Sequence, residues 1–209
     1  MSERIRNRWT VVLGAVLIQL ALGAIYGWSV FTPVLIGAGW SNTETQIVFA
    51  VGLGMFALVM IFAGRLLGRV GPRVLSIVGG LGFGLGYAIA SLGGGTNFWI
   101  LLIGIGLIGG SGVGLAYVVP IAVGMRWFPD RKGMIAGLAV AGFGFGALAW
   151  IKIAGSWGNL IETMGLSSTF LIYGVAFTVL ILVGATWMRM PPEGVASERF
   201  RRTNCGGIR

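Results

Sequence analysis

The sequence predicts an all-α protein that crosses a membrane six times. Three observations support this fold class: the composition is too apolar for a soluble domain, charge-free runs have the length of membrane spans, and basic residues recur at every second connection. Of the 209 residues, 56% are hydrophobic and 10% are charged, whereas a soluble domain has about 25% charged residues. With 15 basic and 6 acidic residues, the chain cannot cover a water-soluble surface, so a polytopic membrane protein is predicted.

Charge-free runs mark the spans, because a spanning helix needs about 20 apolar residues. The run 74–125 is long enough for two helices, and the turn signal GGGTN at 93–97 divides it. Six helices are therefore predicted, near residues 10–36, 45–67, 74–92, 98–124, 133–156 and 167–190. They form one bundle over residues 10–190, between a basic start (1–9) and a polar tail (191–209) that is predicted to be disordered.

Fourteen of the 15 basic residues lie at one end of these helices. They precede helix 1, follow helix 6, or lie near the connections between helices 2 and 3 and between helices 4 and 5. Because Lys and Arg concentrate in cytoplasmic loops, both termini are predicted to be cytoplasmic, in a plasma or inner membrane. The positive charge is divided among short loops, so it is expected to serve orientation and contact with membrane lipids rather than nucleic-acid binding.

The stretch GIGLIGGSGVG at 104–114 contains G-x-G-x-x-G, the pattern of a dinucleotide-binding turn, and Asp130 follows where such a turn has its ribose-binding acid. However, the stretch lies inside predicted helix 4, without the strand that the motif requires. Gly106, Gly110 and Gly114 share one helix face, and small residues allow close helix contact in lipid. We therefore interpret these glycines as a helix-packing surface. Whether that surface holds a static bundle or lets helices rock stays open.

Enzyme chemistry is not predicted. The sequence has no His and a single cysteine, Cys205, so imidazole-based and Cys-only metal sites are not expected. The predicted spans contain no acid pair and no nucleophile beside a base. The chain also lacks G-x-x-x-x-G-K-[ST], the phosphate-binding loop of ATPases. We therefore predict no enzyme activity, no cofactor and no bound metal.

Three stretches resemble the major facilitator superfamily of membrane transporters. GRLLGRVGPR at 64–73 is similar to the loop signature between helices 2 and 3, with Gly64, Arg69, Gly71 and Arg73 at matching positions. GVGLAYVVPIAVGMRWFPDRKGMIAGLAVAGFGFG, ending at Gly146, resembles helices 4 and 5 of the oxalate/formate antiporter family and its monocarboxylate transporter relatives. AIYGWSVFTPVL in helix 1 is similar to the same family. The resemblance implies the amino-terminal six-helix half of a major-facilitator fold.

The resemblance also implies a function and a site. The implied function is secondary active transport of a small organic anion, a mono- or dicarboxylate such as oxalate or formate, by alternating access. The positions that line the anion cavity in relatives are matched here by Tyr26, Trp28, Gln46 and Tyr117. Phe143 stands where relatives can have a cavity tyrosine. The structural alternative is that Tyr26 and Tyr117 only join neighbouring helices.

Several positions depart from the family pattern. Gly68 replaces the acid that latches the cytoplasmic ends of the two halves, so Arg69 and Arg73 serve either that latch or orientation alone. Ile25 stands where relatives can have Gln, which weakens the case for oxalate itself. Lys152 is the one base inside a predicted span and is thus a candidate anion-binding residue. Lys152 lies about 28 Å along helix 5, which places it near the outer boundary of the membrane. The alternative is therefore that its side chain extends to the membrane surface and binds no anion.

The length of the chain bears on its partners. Six helices satisfy their own backbone groups in a bilayer, but they do not enclose a site that opens to both sides. The expected partners are therefore membrane lipids, a small organic anion, and either a second six-helix half or a second copy of the chain. The alternative function is a truncated or degenerate half that acts only as a membrane module or assembly partner.

Overall fold

Six long helices make up the computed structural model, which describes residues 8–191. Each helix is long and apolar enough to cross a bilayer, and no strand occurs in that range, so the six-span, all-α prediction is confirmed. Residues 1–7 and 192–209, with Cys205 and most of the predicted basic start and polar tail, lie outside the described residues. The helices are α1 (Trp9–Gly37), α2 (Asn42–Val70), α3 (Pro72–Leu92), α4 (Phe98–Trp127), α5 (Lys132–Ala154) and α6 (Leu160–Ala185).

The first five helices begin and end within three residues of the predicted positions. Helix α2 starts earlier than predicted because Ser41 and Glu44 form a capping box. The Ser41 N–H donates to the Glu44 carboxylate at 2.8 Å, and the Glu44 N–H donates to the Ser41 hydroxyl at 3.2 Å. These bonds satisfy backbone donors that a helix start leaves free.

The predicted bounds of the sixth helix, 167–190, were wrong at both ends, since α6 begins at Leu160 and ends at Ala185. The Arg73 guanidinium donates from Nε to the Ala185 carbonyl at 3.4 Å and from Nη2 to the Thr186 carbonyl at 2.7 Å. A cation at this position satisfies carbonyls that a helix end leaves without partners. Near its start, α6 is interrupted at Gly165, whose φ of 78° lies in the left-handed region that glycine adopts without steric cost.

Two helices, α1 and α4, are not α-helical throughout. Gly23–Val30 in α1 is wound more tightly, as a 3₁₀-helix, and Leu102–Gly109 in α4 is wound more loosely, as a π-helix. The sequence predicted neither change. In α4 the π-helical turn lies against α3, where a Cβ placed on Gly86 would lie 2.8 Å from the Gly109 nitrogen. Local rewinding of this kind is frequent at functional sites in helices.

The helices pack around α1 and α4, which contact each other. Helices α5 and α6 pack on α1, α2 and α3 pack on α4, and α3 also packs along α6. Aromatic rings fill the space between α3 and α6, where Phe83 stacks on Phe177 at 4.7 Å and Tyr87 meets Phe177 edge-on at 5.0 Å. Helix α2 is the least covered: 17% of its most apolar part is buried, against 67% for α1.

The glycine face of α4 lies against α2. At Gly110 the neighbour is Gly52, whose Cα would lie 3.0 Å from an added Cβ, and at Gly114 it is the Phe56 carbonyl oxygen, at 2.7 Å. At Gly106 the added Cβ would lie 3.4 Å from the Val48 carbonyl oxygen. The stretch 104–114 is helical throughout, so the strand–turn–helix context of a nucleotide loop does not occur there.

Candidate functional site

An open cleft lies between α1 and α2, at the end of the bundle away from the arginines around the start of α3. Its volume is about 240 Å³. The cleft combines aromatic walls with hydroxyl and amide groups, and none of its lining residues is charged. These residues are Tyr26, Trp28, Ser29, Thr32, Pro33, Gln46 and Phe49.

Tyr26 is the most prominent ring of the cleft, with 46% of its surface exposed. It meets Phe143 of α5 edge-to-face at 5.5 Å and Phe49 of α2 at 6.2 Å. Tyr26 belongs to the 3₁₀-helical stretch of α1. Gly23, at the start of that stretch, lies against the Phe143 carbonyl group, which brings this part of α1 close to α5. The Tyr26 hydroxyl makes no hydrogen bond to any residue in 8–191, so it can donate to a ligand.

Tyr117 does not line the cleft, but aromatic contacts through Phe143 connect it to Tyr26. Its ring meets Phe143 at 5.2 Å and Phe56 of α2 at 5.1 Å, both edge-on. The rings of Phe49, Tyr26, Phe143, Tyr117 and Phe56 thus form a continuous aromatic row. Tyr117 is half-buried, and its hydroxyl, like that of Tyr26, has no hydrogen-bond partner within the described range.

Sequence reasoning missed Phe49 and Phe56. They lie seven residues apart on α2, so they share a helix face, and that spacing together with Gln46 was a usable signal. What the sequence lacked was the position of this face opposite Tyr26 and Tyr117. Edge-to-face ring pairs contribute about 0.5–1.5 kcal/mol beyond burial, so the aromatic row also joins α2 to α1, α4 and α5.

Trp28 and Gln46 both line the cleft but differ in how they are held. Trp28 is only 3% exposed, and its Nε1–H donates to the Thr45 carbonyl at 3.0 Å. Its polar group is therefore used to fasten α1 to α2, and only the ring faces the cleft. Gln46, which follows Thr45, is exposed and offers an amide with both donors and an acceptor.

The structure does not bring Lys152 into this site. It lies in the last turn of α5 and is not among the cleft residues. A cation in the last turn of a helix is favourable beside the helix carbonyls. No basic side chain described in 8–191 therefore lines the cleft, and any charge that neutralises an anion there must come from elsewhere.

The loop motif lies at the opposite end of the bundle and has a structural basis. Gly71 ends α2 with a φ of 88°, a conformation suited to glycine. Arg73 caps α6, as described above. Gly64 and Arg69 are exposed, and a Cβ on Gly64 would meet nothing within 4 Å. These four residues are therefore remote from the cleft.

Metal-binding groups are sparse. Residues 8–191 contain no cluster of three or more His, Cys, Asp or Glu side chains that could hold a metal ion. The cleft offers the hydroxyl groups of Tyr26, Ser29 and Thr32 and the amide of Gln46. Hydroxyl and amide donors can hydrogen-bond to the oxygen atoms of a small anion.

Comparison with known proteins accounts for this architecture. The sequence matches the Major Facilitator Superfamily over residues 20–204. The chain belongs to the Major Facilitator Superfamily. It is 32% identical over 190 residues to the uncharacterized MFS-type transporter YhjX of Escherichia coli K12, an alignment that covers 90% of this chain and 46% of that protein.

Two further relatives are named for carboxylates. The oxalate:formate antiporter of Oxalobacter formigenes is 26% identical over 196 residues, which are 93% of this chain and 46% of the antiporter. The apicoplast pyruvate carrier 1 of Toxoplasma gondii is 30% identical over 199 residues, an alignment that covers 74% of this chain and 36% of the carrier. The chain thus spans less than half the length of these relatives.

Proposed function

We propose that the chain is one six-helix half of a secondary transporter for a small organic anion, a mono- or dicarboxylate such as oxalate or formate. The observation that carries this proposal is the aromatic row, in which Tyr26 and Tyr117 present hydroxyls without a described protein partner. Tyrosine O–H groups donate to carboxylate oxygens, and hydrogen bonds to charged groups contribute about 1.5–3 kcal/mol. The carboxylates in the names of two relatives support this substrate class.

The proposed site is completed by a second six-helix half or a second copy of the chain. No described cation lines the cleft, so the partner supplies the positive charge that the anion needs. Helices α2 and α5 provide the contact surface. A Cβ on Gly54 of α2, or on Gly137 or Gly144 of α5, would meet nothing within 4 Å. Small residues on an uncovered helix face suit close packing against another helix.

The arginine-rich end of the bundle is proposed to face the cytoplasm of a cell with the chain in its plasma or inner membrane, following the distribution of Lys and Arg. The segments 1–9 and 191–209 then lie on the cytoplasmic side. Transport proceeds by rocking of the two halves around the central site, so that it opens to each side in turn. Solute or ion gradients drive it, and no catalysis is involved.

Uptake into vesicles tests this function. The chain is reconstituted alone and together with the separately produced carboxy-terminal half of the oxalate:formate antiporter, and uptake of labelled oxalate, formate and pyruvate is measured. Tyr117→Phe is expected to weaken the apparent affinity about tenfold, because one hydrogen bond to a charged group is lost. Tyr173→Phe is the matched control, because its hydroxyl already donates to the Trp150 carbonyl.

Two outcomes would contradict the proposal. Folded chain that gives no uptake in either preparation would favour the alternative, a degenerate half that acts only as a membrane module. Uptake with unchanged affinity in both Tyr26→Phe and Tyr117→Phe would show that these tyrosines only join helices. The circular dichroism spectrum of each variant confirms that it is folded.

A further inference from the structure

Three arginines lie at the end of the bundle where α3 begins, α4 ends and α6 is followed by the segment 186–190. We call Arg73, Arg126 and Arg189 the arginine triad; all three are exposed. Arg73 donates to the Thr186 carbonyl at 2.7 Å, and Arg126 donates from Nη1 to the Met190 sulfur at 3.3 Å. Thr186 and Met190 are four residues apart, at most about 14 Å of chain, and Arg189 lies between them.

The triad has positive charge that the described residues do not neutralise. The ion pair found within 8–191 joins Arg131 to Asp130 at 3.9 Å, and it involves no member of the triad. Arg73 uses its Nε and one Nη2 proton on helix carbonyls, which leaves three of the five guanidinium N–H groups. The carbonyls at the end of α6 thus hold the guanidinium in place while free donors remain for an anion.

An apolar surface runs from the triad along the outside of α3 and α6. The two helices are in close contact, since a Cβ on Gly84 would meet the Gly174 carbonyl at 2.6 Å. Their outer faces expose branched side chains that are each between 42% and 58% exposed. These are Val74, Val78 and Leu81 on α3 and Val175, Val179 and Val183 on α6. Val74 follows Arg73 directly, so the apolar surface begins at the charged group.

A tryptophan lies beside the triad. The Trp127 Nε1–H donates to the Arg189 carbonyl at 2.7 Å, which fixes the segment after α6 to the end of α4. Tryptophan is enriched at the level of lipid headgroups, where one part of the ring is apolar and the N–H is polar. The charged groups and the tryptophan therefore lie together at the end of the bundle where the apolar surface of α3 begins, as expected at the level of lipid headgroups.

We propose that the arginine triad binds the phosphate of an anionic phospholipid whose acyl chains lie along the outer faces of α3 and α6. Guanidinium groups match the geometry of phosphate oxygens. A free anion would gain nothing from the adjoining valines, whereas a phospholipid uses both surfaces. Each basic residue near an anionic lipid contributes about fivefold in affinity. The proposal is independent of the transported substrate, because the triad is at the opposite end of the bundle from the cleft.

Native mass spectrometry of the full 209-residue chain in a neutral detergent tests the site. Dissociation constants are measured for phosphatidylglycerol and phosphatidylcholine with identical acyl chains. Phosphatidylglycerol is expected to bind more tightly, and Arg189→Gln is expected to weaken it about fivefold without changing phosphatidylcholine. Arg131→Gln is the matched control, since it removes one charge at the same end of the bundle and is expected to keep the preference.

Variants of Arg73 separate charge from folding. Arg73→Gln is expected to lose the preference for phosphatidylglycerol, and Arg73→Lys is expected to retain most of it. Should Arg73→Gln unfold, Arg189→Gln still decides, because the Arg189 side chain makes no hydrogen bond within the described residues. An unchanged lipid preference in Arg189→Gln, an equal loss in Arg131→Gln, or displacement of the lipid by inorganic phosphate at the same concentration would each overturn the proposal.

Discussion

Replacing Gly110 by alanine tests the contact between α2 and α4. A Cβ at this position would clash with the Gly52 carbonyl oxygen and lie 3.0 Å from the Gly52 Cα, whereas carbon atoms in favourable contact are about 3.5–4.0 Å apart. The two helices must therefore separate by about 0.5–1 Å. Gly54 provides the control, because it is on the same helix as Gly52 and a Cβ there would meet nothing within 4 Å.

The expected cost follows from this separation. A gap of 0.5–1 Å forfeits about a quarter to a half of the attraction in each contact along the interface, and inserting a methyl group into a packed site costs about 1–3 kcal/mol. Both variants gain about 1 kcal/mol of helix propensity, because alanine replaces glycine. The difference in unfolding free energy between Gly110→Ala and Gly54→Ala therefore isolates the steric cost, about 2 kcal/mol.

Thermal unfolding in detergent micelles measures this difference. Circular dichroism at about 222 nm follows the loss of helix as the whole fold unfolds. A cost of about 2 kcal/mol corresponds to about 4–8 °C in Tm for a chain of this size. Gly110→Ala is thus expected to melt below wild type, and Gly54→Ala at or above it. Equal Tm values for the two alanine variants would refute the argument that the glycine face of α4 is a packing surface.

Two further predictions concern hydrogen bonds between helices. Trp28→Phe removes the Nε1 donor that binds the Thr45 carbonyl at 3.0 Å and is expected to lower the unfolding free energy by about 1–3 kcal/mol; a Tm equal to that of wild type would contradict this. Tyr173→Phe removes the hydroxyl that donates to the Trp150 carbonyl and is expected to cost about 1 kcal/mol. Tyr26→Phe, whose hydroxyl has no described protein partner, is expected to melt like wild type, and equal losses in the two tyrosine variants would contradict the assignment.

The candidate site was only partly accessible from the sequence. Resemblance pointed to Tyr26, Trp28 and Gln46, and the structure places these three residues around one cleft. Phe49 and Phe56 join the site only through the way α2 faces α1 and α4. Lys152 was a candidate because a base in a span is rare, yet it is not among the residues that line the cleft.

The sequence by itself determined how many helices cross the membrane, about where each one lies and to which superfamily the chain belongs. The length of an apolar run and the spacing of charges can be read from the linear chain. A helix crosses a bilayer when its apolar run is long enough, so these features predict the spans. Only the tertiary structure decided that Gly110 meets Gly52 and that two helices are locally rewound. It also decided that Arg73 caps the end of α6, 112 residues away in the sequence. Such contacts depend on how helices rotate and approach one another, which no periodicity within a single helix specifies.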